Sequence, residues 1–153
     1  MTAEHAARPA LADLEVGERV IETAVPVSRA DLIAYAAASG DHNHIHWNER
    51  YAREVGLPDV IAHGMLTMGS VLAKVTDWAG DPGAIADART RFTSMVVVPD
   101  AESGPPSAPT AQLDLTAAVG AIDADAGIVR LDLEVASAGE KVLGRTQVKV
   151  RLR

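Results

Sequence analysis

A chain of 153 residues, 48% of them apolar and 23% charged, has the length of one ordinary domain; halved, it would leave two cores near the limit of self-support. Fourteen Lys and Arg stand against 21 Asp and Glu, a net charge of −7 that repels phosphodiester backbones and sets nucleic acid aside as a partner. The absence of cysteine removes disulfide frameworks, thiolate zinc sites and a Cys nucleophile together.

Residues 1–12 are Ala-rich with scattered charge and read as a flexible lead-in to a single domain over 13–153. No apolar core follows a basic start between Met1 and Leu11, and no run approaches ~18 apolar residues, so a cytoplasmic protein with no membrane partner is expected. Glu18 to Val27 is β-rich, and Pro26 argues against a strand paired on both sides. Ser28, with Asp31 three residues on, resembles a capping box and predicts a helix that Ser39-Gly40 stops. A loop over 41–48 leads to a short helical piece from Glu49 to Val55, ended by Gly56 ahead of Pro58. Met65, Met68, Val71, Leu72, Val75 and Trp78 then recur every three or four residues. They predict an amphipathic helix that starts after His63-Gly64 and ends by Gly80. Gly69 inside it costs about 1 kcal/mol against Ala, a cost that tight packing on a sheet would justify.

From there the period becomes two. Thr90, Phe92, Ser94, Val96 and Val98 share one face of a strand that Pro99 ends, and a Pro-rich loop fills 99–110. Ala111 to Val119, Val129 to Val135 and Thr146 to Leu152 alternate in the same way, with turns at 123–127 and Ala138-Gly139-Glu140. Short turns between alternating strands mean an antiparallel sheet with one wet face. The expected class is α+β, a curled antiparallel sheet of about five strands around one long helix. One helix covers little of such a sheet, so a dimer is expected.

Four of the five histidines fall within residues 42–63, and three readings of that cluster compete. If 42–46 is extended, His42, His44 and His46 share a face and could ligate zinc or iron, but no histidine after His63 completes a larger metal motif. Alternatively the loop is a polar helix cap with no chemistry. The third reading is acid–base catalysis. Asp41 and His46 sit five residues apart in a tight loop, close enough to hold one water between carboxylate and imidazole. His63-Gly64-Met65 meanwhile opens the long helix, whose free N–H groups can polarise a carbonyl oxygen.

The stretch Tyr35-x3-Ser39-Gly40-Asp41-x-Asn43-x-Ile45-His46-x5-Ala52 resembles the hydratase signature of the MaoC-like family of (R)-specific enoyl-thioester hydratases and 3-hydroxyacyl-thioester dehydratases. Ala62-His63-Gly64-Met65-Leu66-Thr67-Met68-Gly69 resembles that family's second block, and over most of its length the chain is similar to the branch of catalytic B subunits of mycolic-acid-type hydroxyacyl-carrier-protein dehydratases. The resemblance implies a hot-dog fold, with Asp41 and His46 as the catalytic pair and Gly64 N–H as donor to the thioester carbonyl. Asn43 then shapes the loop, His63 orients its neighbours, and Tyr35 packs beneath. It further implies an acyl-CoA or acyl-carrier-protein thioester as substrate, a homodimer or a heterodimer with a related hot-dog subunit, and no metal or other cofactor. Two positions depart from the pattern: His44 replaces the usual Pro, and Leu72 stands where some members carry Ser. The rival readings are a thioesterase of the same shape, for which Asp77 is the available carboxylate on the long helix, and a non-catalytic acyl-binding partner subunit.

Overall fold

Strands form where alternation lets one face be buried. In the computed structural model, which describes residues 8–152, these are β1 (Arg19–Ser28), β2 (Ile85–Phe92), β3 (Pro109–Asp123), β4 (Ile128–Ser137) and β5 (Glu140–Arg151). They make one antiparallel sheet in the order β1-β3-β4-β5-β2. Leu113, Leu115, Ala117 and Val119 of β3 are buried with Val129, Leu131, Leu133 and Val135 of β4 and with Val148 and Val150 of β5. Pro26 is tolerated because β1 is an edge, paired on one side with β3.

The sheet is covered by α3 (Gly64–Ala79), the α+β hot-dog arrangement expected from the sequence. Thr67, Val71, Val75 and Ala79 form its buried row. Val71 and Val75 are fully buried, each burial stabilising by about 1.5–3 kcal/mol. The row differs from the predicted stripe at its start, since Met65 is 56% exposed. Gly69 is also exposed, with nothing within 4 Å of where a Cβ would stand, so close approach to the sheet is not what keeps a glycine there.

The strand expected to run from Thr90 to Val98 instead begins at Ile85 and stops at Phe92. β2 pairs with β5 at the opposite edge of the sheet from β1, away from β3, which follows it in the chain. Residues beyond Phe92 leave the sheet to meet a different partner: Ala62 N–H donates to Val96 O at 2.8 Å, Val98 N–H donates to Val60 O at 2.9 Å, and Ile61 bridges Val97. Val96 and Val98 are buried there. Of the expected lead-in, residues 1–7 lie outside the described residues, and Leu11 opens a single 3-10 turn that packs against the core. No helix among the described residues is long and apolar enough to cross a membrane.

Helix α1 (Arg29–Ser39) starts at a complete capping box: Ser28 Oγ accepts from Asp31 N–H, and Asp31 Oδ2 accepts from Ser28 N–H at 2.8 Å. Its end is set by Gly40, whose φ of 77° is left-handed and costs glycine nothing. The first residue of α1 also anchors the rest of the site region. Arg29 donates through Nε to Val98 O at 2.6 Å and through Nη2 to Asp59 Oδ1 at 2.6 Å and Glu49 Oε2 at 3.2 Å. Arg53, on α2 (Glu49–Glu54), closes the network with Nη2 2.8 Å from Glu49 Oε1.

The Arg29 and Asp59 side chains are 16% and 10% exposed, so removing one member strands a charge in a poorly solvated place. Arg29→Met is expected to lower unfolding free energy by about 3–5 kcal/mol. Arg19→Met, which breaks a pair whose members are 60% and 68% exposed, is expected to change it by no more than about 0.5 kcal/mol. Urea denaturation of both variants checks the contrast.

Candidate active site

The loop after Gly40 is tied by its own polar side chains. Asp41 N–H donates to Ser39 Oγ, Asn43 N–H donates to Asp41 Oδ1 at 3.2 Å, and Asn43 Oδ1 accepts from Ile45 N–H at 3.3 Å. Asn43 thereby caps a 3-10 turn over His44–His46. That turn overturns the extended reading of 42–46: His42 and His44 are exposed while His46 is buried. His44 lies edge-on to Trp47 and Tyr51, with ring centroids 4.8 and 5.2 Å away. Trp47 Nε1–H also donates to His42 O at 3.0 Å. These contacts hold the loop at the position where Pro is usual.

His46 turns inward, and its Nδ1 lies 2.7 Å from the Ile61 carbonyl. A carbonyl accepts and never donates, so in the neutral ring the hydrogen sits on Nδ1 and Nε2 keeps its lone pair. Nε2 is 3.9 Å from Asp41 Oδ2, beyond hydrogen-bond distance but a separation that one water bound to both can span. The Asp41 side chain is 54% exposed, open to whatever enters from outside.

His63 lies behind this pair. Its Nε2 is 3.0 Å from the Asp41 carbonyl, which makes Nε2 the protonated nitrogen. Its ring stacks on His46 at 3.7 Å between centroids and 23° between planes, with Tyr35 at 4.8 Å. His63 Nδ1 is buried without a hydrogen-bond partner. Burial pushes the His63 pKa below the usual 6.5; the positive form of His46 acts the same way, while the bond to the Asp41 carbonyl and the Asp41 charge oppose it. The ring is therefore neutral at neutral pH.

Asp41, His46 and His63 bring three possible metal ligand atoms within 4.8 Å of one another. The stacking works against their convergence. A metal lies near the plane of each imidazole that binds it, and these two rings are stacked face to face, with centroids 3.7 Å apart and 23° between their planes.

Gly64 opens α3, which spans 16 residues and has no side-chain cap. Its first-turn N–H groups consequently lack an internal acceptor, at the positive end of the helix dipole. His46 and Gly64 line one cavity of about 420 Å³, together with Ile61, Ala62, Thr67 and a wall from Phe92 to Val96 and Val142-Leu143. Asp41 is not part of that lining and reaches it through its separation from His46. Asp77, the carboxylate a thioesterase would need, lies near the far end of α3, exposed and 3.3 Å from Lys74 Nζ. Leu72 packs against the core.

Two members of the site, Ile61 and Thr67, are given no role by the sequence. Ile61 contributes only its carbonyl, which any residue supplies. Thr67 is 4% exposed and falls on the buried row of α3, where an apolar residue would serve the packing equally.

The family described as MaoC like domain is matched over residues 13–103. The 3-hydroxyacyl-thioester dehydratase X of Mycobacterium tuberculosis is 42% identical over 73 residues, 48% of this chain and 25% of that protein. The (R)-specific enoyl-CoA hydratase of Rhodospirillum rubrum is 36% identical over 73 residues, 48% of this chain and 50% of that protein. The chain thus spans a quarter to a half of the length of these curated relatives. Among solved structures, a MaoC-like dehydratase superposes with a TM-score of 0.86 at 33% identity, covering 95% of this chain and 43% of that one. The unliganded R-hydratase of Pseudomonas aeruginosa gives 0.78 at 26% identity, over 94% and 84%.

Because His63 stays neutral in the fold, the unfolded chain takes up its proton first as pH falls. The stability this residue contributes is complete above its unfolded value of 6.5 and is lost on acidification toward its lower folded value. The expected outcome is that denaturation free energy declines between about pH 7 and 5, and that His63→Gln flattens this slope whatever its effect on stability at pH 8.

Proposed function

The chain belongs to the MaoC-like domain family, and on that premise we propose that it hydrates trans-2-enoyl thioesters to (3R)-hydroxyacyl thioesters, or catalyses the reverse dehydration, as a hydro-lyase. The observation that carries this reading is the 3.9 Å gap between Asp41 Oδ2 and the lone-pair nitrogen of His46, at a cavity that Gly64 also lines. Relatives named as hydratases and dehydratases support it.

In the hydration direction, Asp41 Oδ2 and His46 Nε2 orient one water. His46 removes a proton as the water oxygen bonds to C3, and the C2–C3 π electrons move to form an enolate. Its oxygen is stabilised by Gly64 N–H and the α3 dipole. The imidazolium then returns the proton to C2, which restores the neutral ring and the thioester carbonyl. Proton transfer supplies about 10²–10⁴-fold and one oxyanion donor about 10²–10³-fold, so neither suffices alone. Asn43 holds the loop, and His63 backs both His46 and the Asp41 backbone as a neutral spacer. No step calls on a metal or cofactor.

The same proposal takes residues 13–153 as one domain, acyl-CoA or acyl-carrier-protein thioesters as substrate, and a second copy or a related hot-dog subunit as partner. The outer edge of β2, which pairs on one side with β5, supports a partner, since an open strand edge invites pairing.

Asp41→Asn and His46→Gln are each expected to lower kcat for enoyl-CoA hydration by about 10²-fold or more, read from the loss of enoyl absorbance. A sharper probe is Gly64→Pro. Proline is accepted at the first position of a helix, and His63 already has the extended ψ of 135° that a following proline needs. That change removes the N–H while keeping the helix, so kcat should fall about 10²–10³-fold. Gly64→Ala, which likewise presses on the Phe92 ring but keeps the N–H, should fall far less. Full activity in Gly64→Pro would remove the oxyanion role.

A further inference from the structure

The chain contains one Phe, and it is not in the core: Phe92 is 53% exposed, and Met95 close by is 49% exposed. Both line the cavity that His46 and Gly64 share, over a floor of buried Val96 and Leu143. The Phe92 ring lies directly against α3, its Cδ1 and Cε1 3.1 Å from where a Cβ on Gly64 would stand. Among the described residues, no lining residue apart from His46 is ionisable at neutral pH. Leaving a large ring and a thioether half in water beside an apolar floor costs hydrophobic free energy that a bound apolar group would restore. Methionine, unbranched and flexible, adapts to an aliphatic chain better than to a fixed polar headgroup.

We propose that Phe92 and Met95 form the acyl-chain wall of the site, and that the preferred substrates are enoyl thioesters whose chains extend well beyond four carbons. This rests on the hydratase reading above and adds the class of acyl group to it. The lack of a Lys or Arg among the described lining residues argues against the phosphate-bearing arm of the thioester as the occupant. The cavity's continuity with His46 argues against a second protein chain.

Burial of each methylene is worth about fourfold in affinity. For the wild-type protein, kcat/KM measured with trans-2-butenoyl-, octenoyl- and dodecenoyl-CoA should rise by at least about tenfold from the first to the second. In Phe92→Ala and Met95→Ala most of that rise should disappear, through KM rather than kcat, because the wall binds ground state and transition state alike. Phe92→Leu should keep part of it. Good turnover of butenoyl-CoA with no gain on lengthening the chain overturns the wall and leaves the hydratase reading intact; no turnover of any chain removes the reading it rests on. A loss in the Ala variants that is equal at every chain length also overturns the proposal. Where light scattering then shows a changed molecular mass, it assigns Phe92 to a subunit contact instead.

Discussion

The bond from His46 Nδ1–H to the Ile61 carbonyl, at 2.7 Å, governs what the imidazole can do. It fixes the tautomer and ring orientation, and it leaves the one remaining lone pair facing Asp41. The acceptor is itself held, because Ile61 N–H donates to Ile45 O at 3.1 Å and Ile61 bridges Val97. Val60 and Ala62 on either side are paired to Val98 and Val96. A histidine on a loop thus gains the precision of a residue on a sheet.

Charge is arranged with similar economy. The carboxylate is half-exposed and free to meet a polar substrate, while the deepest ring, His63, is kept neutral by burial. Stacking His63 on His46 means the two rings repel if both are protonated, so the pair favours at most one positive charge. That suits the proposed cycle, in which one proton is taken up and given back. The start of α3 adds a partial positive charge at the same cavity, from a dipole that asks for no counter-ion.

Much of this was legible because the signals were local. Ser28 and Asp31 cap α1 and Gly40 ends it, each through contacts within four residues, and Gly64 opens α3. Asp41 and His46 are near neighbours in sequence, so a loop alone brings them together. Long-range contacts were not legible. Arg29 meets Asp59 and Val98, 30 and 69 positions away, and nothing in the surrounding residues marks them as partners. The end of β2 is hidden for the same reason: Val96 and Val98 continue the alternation, but their pairing partner is the 60–62 segment and not a strand of the sheet. Met65 and Gly69 show a further limit, since helical periodicity gives the apolar stripe but not how much of it the sheet covers.

The Arg29 network also has a bearing on how the molecule assembles. Its bonds close loops of 30 and 69 residues, and such closures carry an entropic cost before any contact rewards them. Helix α1 with its local cap can form early, but the segment carrying Ile61 gains its seat only when the residues around Val98 have docked. Without that docking, a chain collapsed around its sheet would still hold Asp41 and His46 but would lack the fixed carbonyl that orients the imidazole.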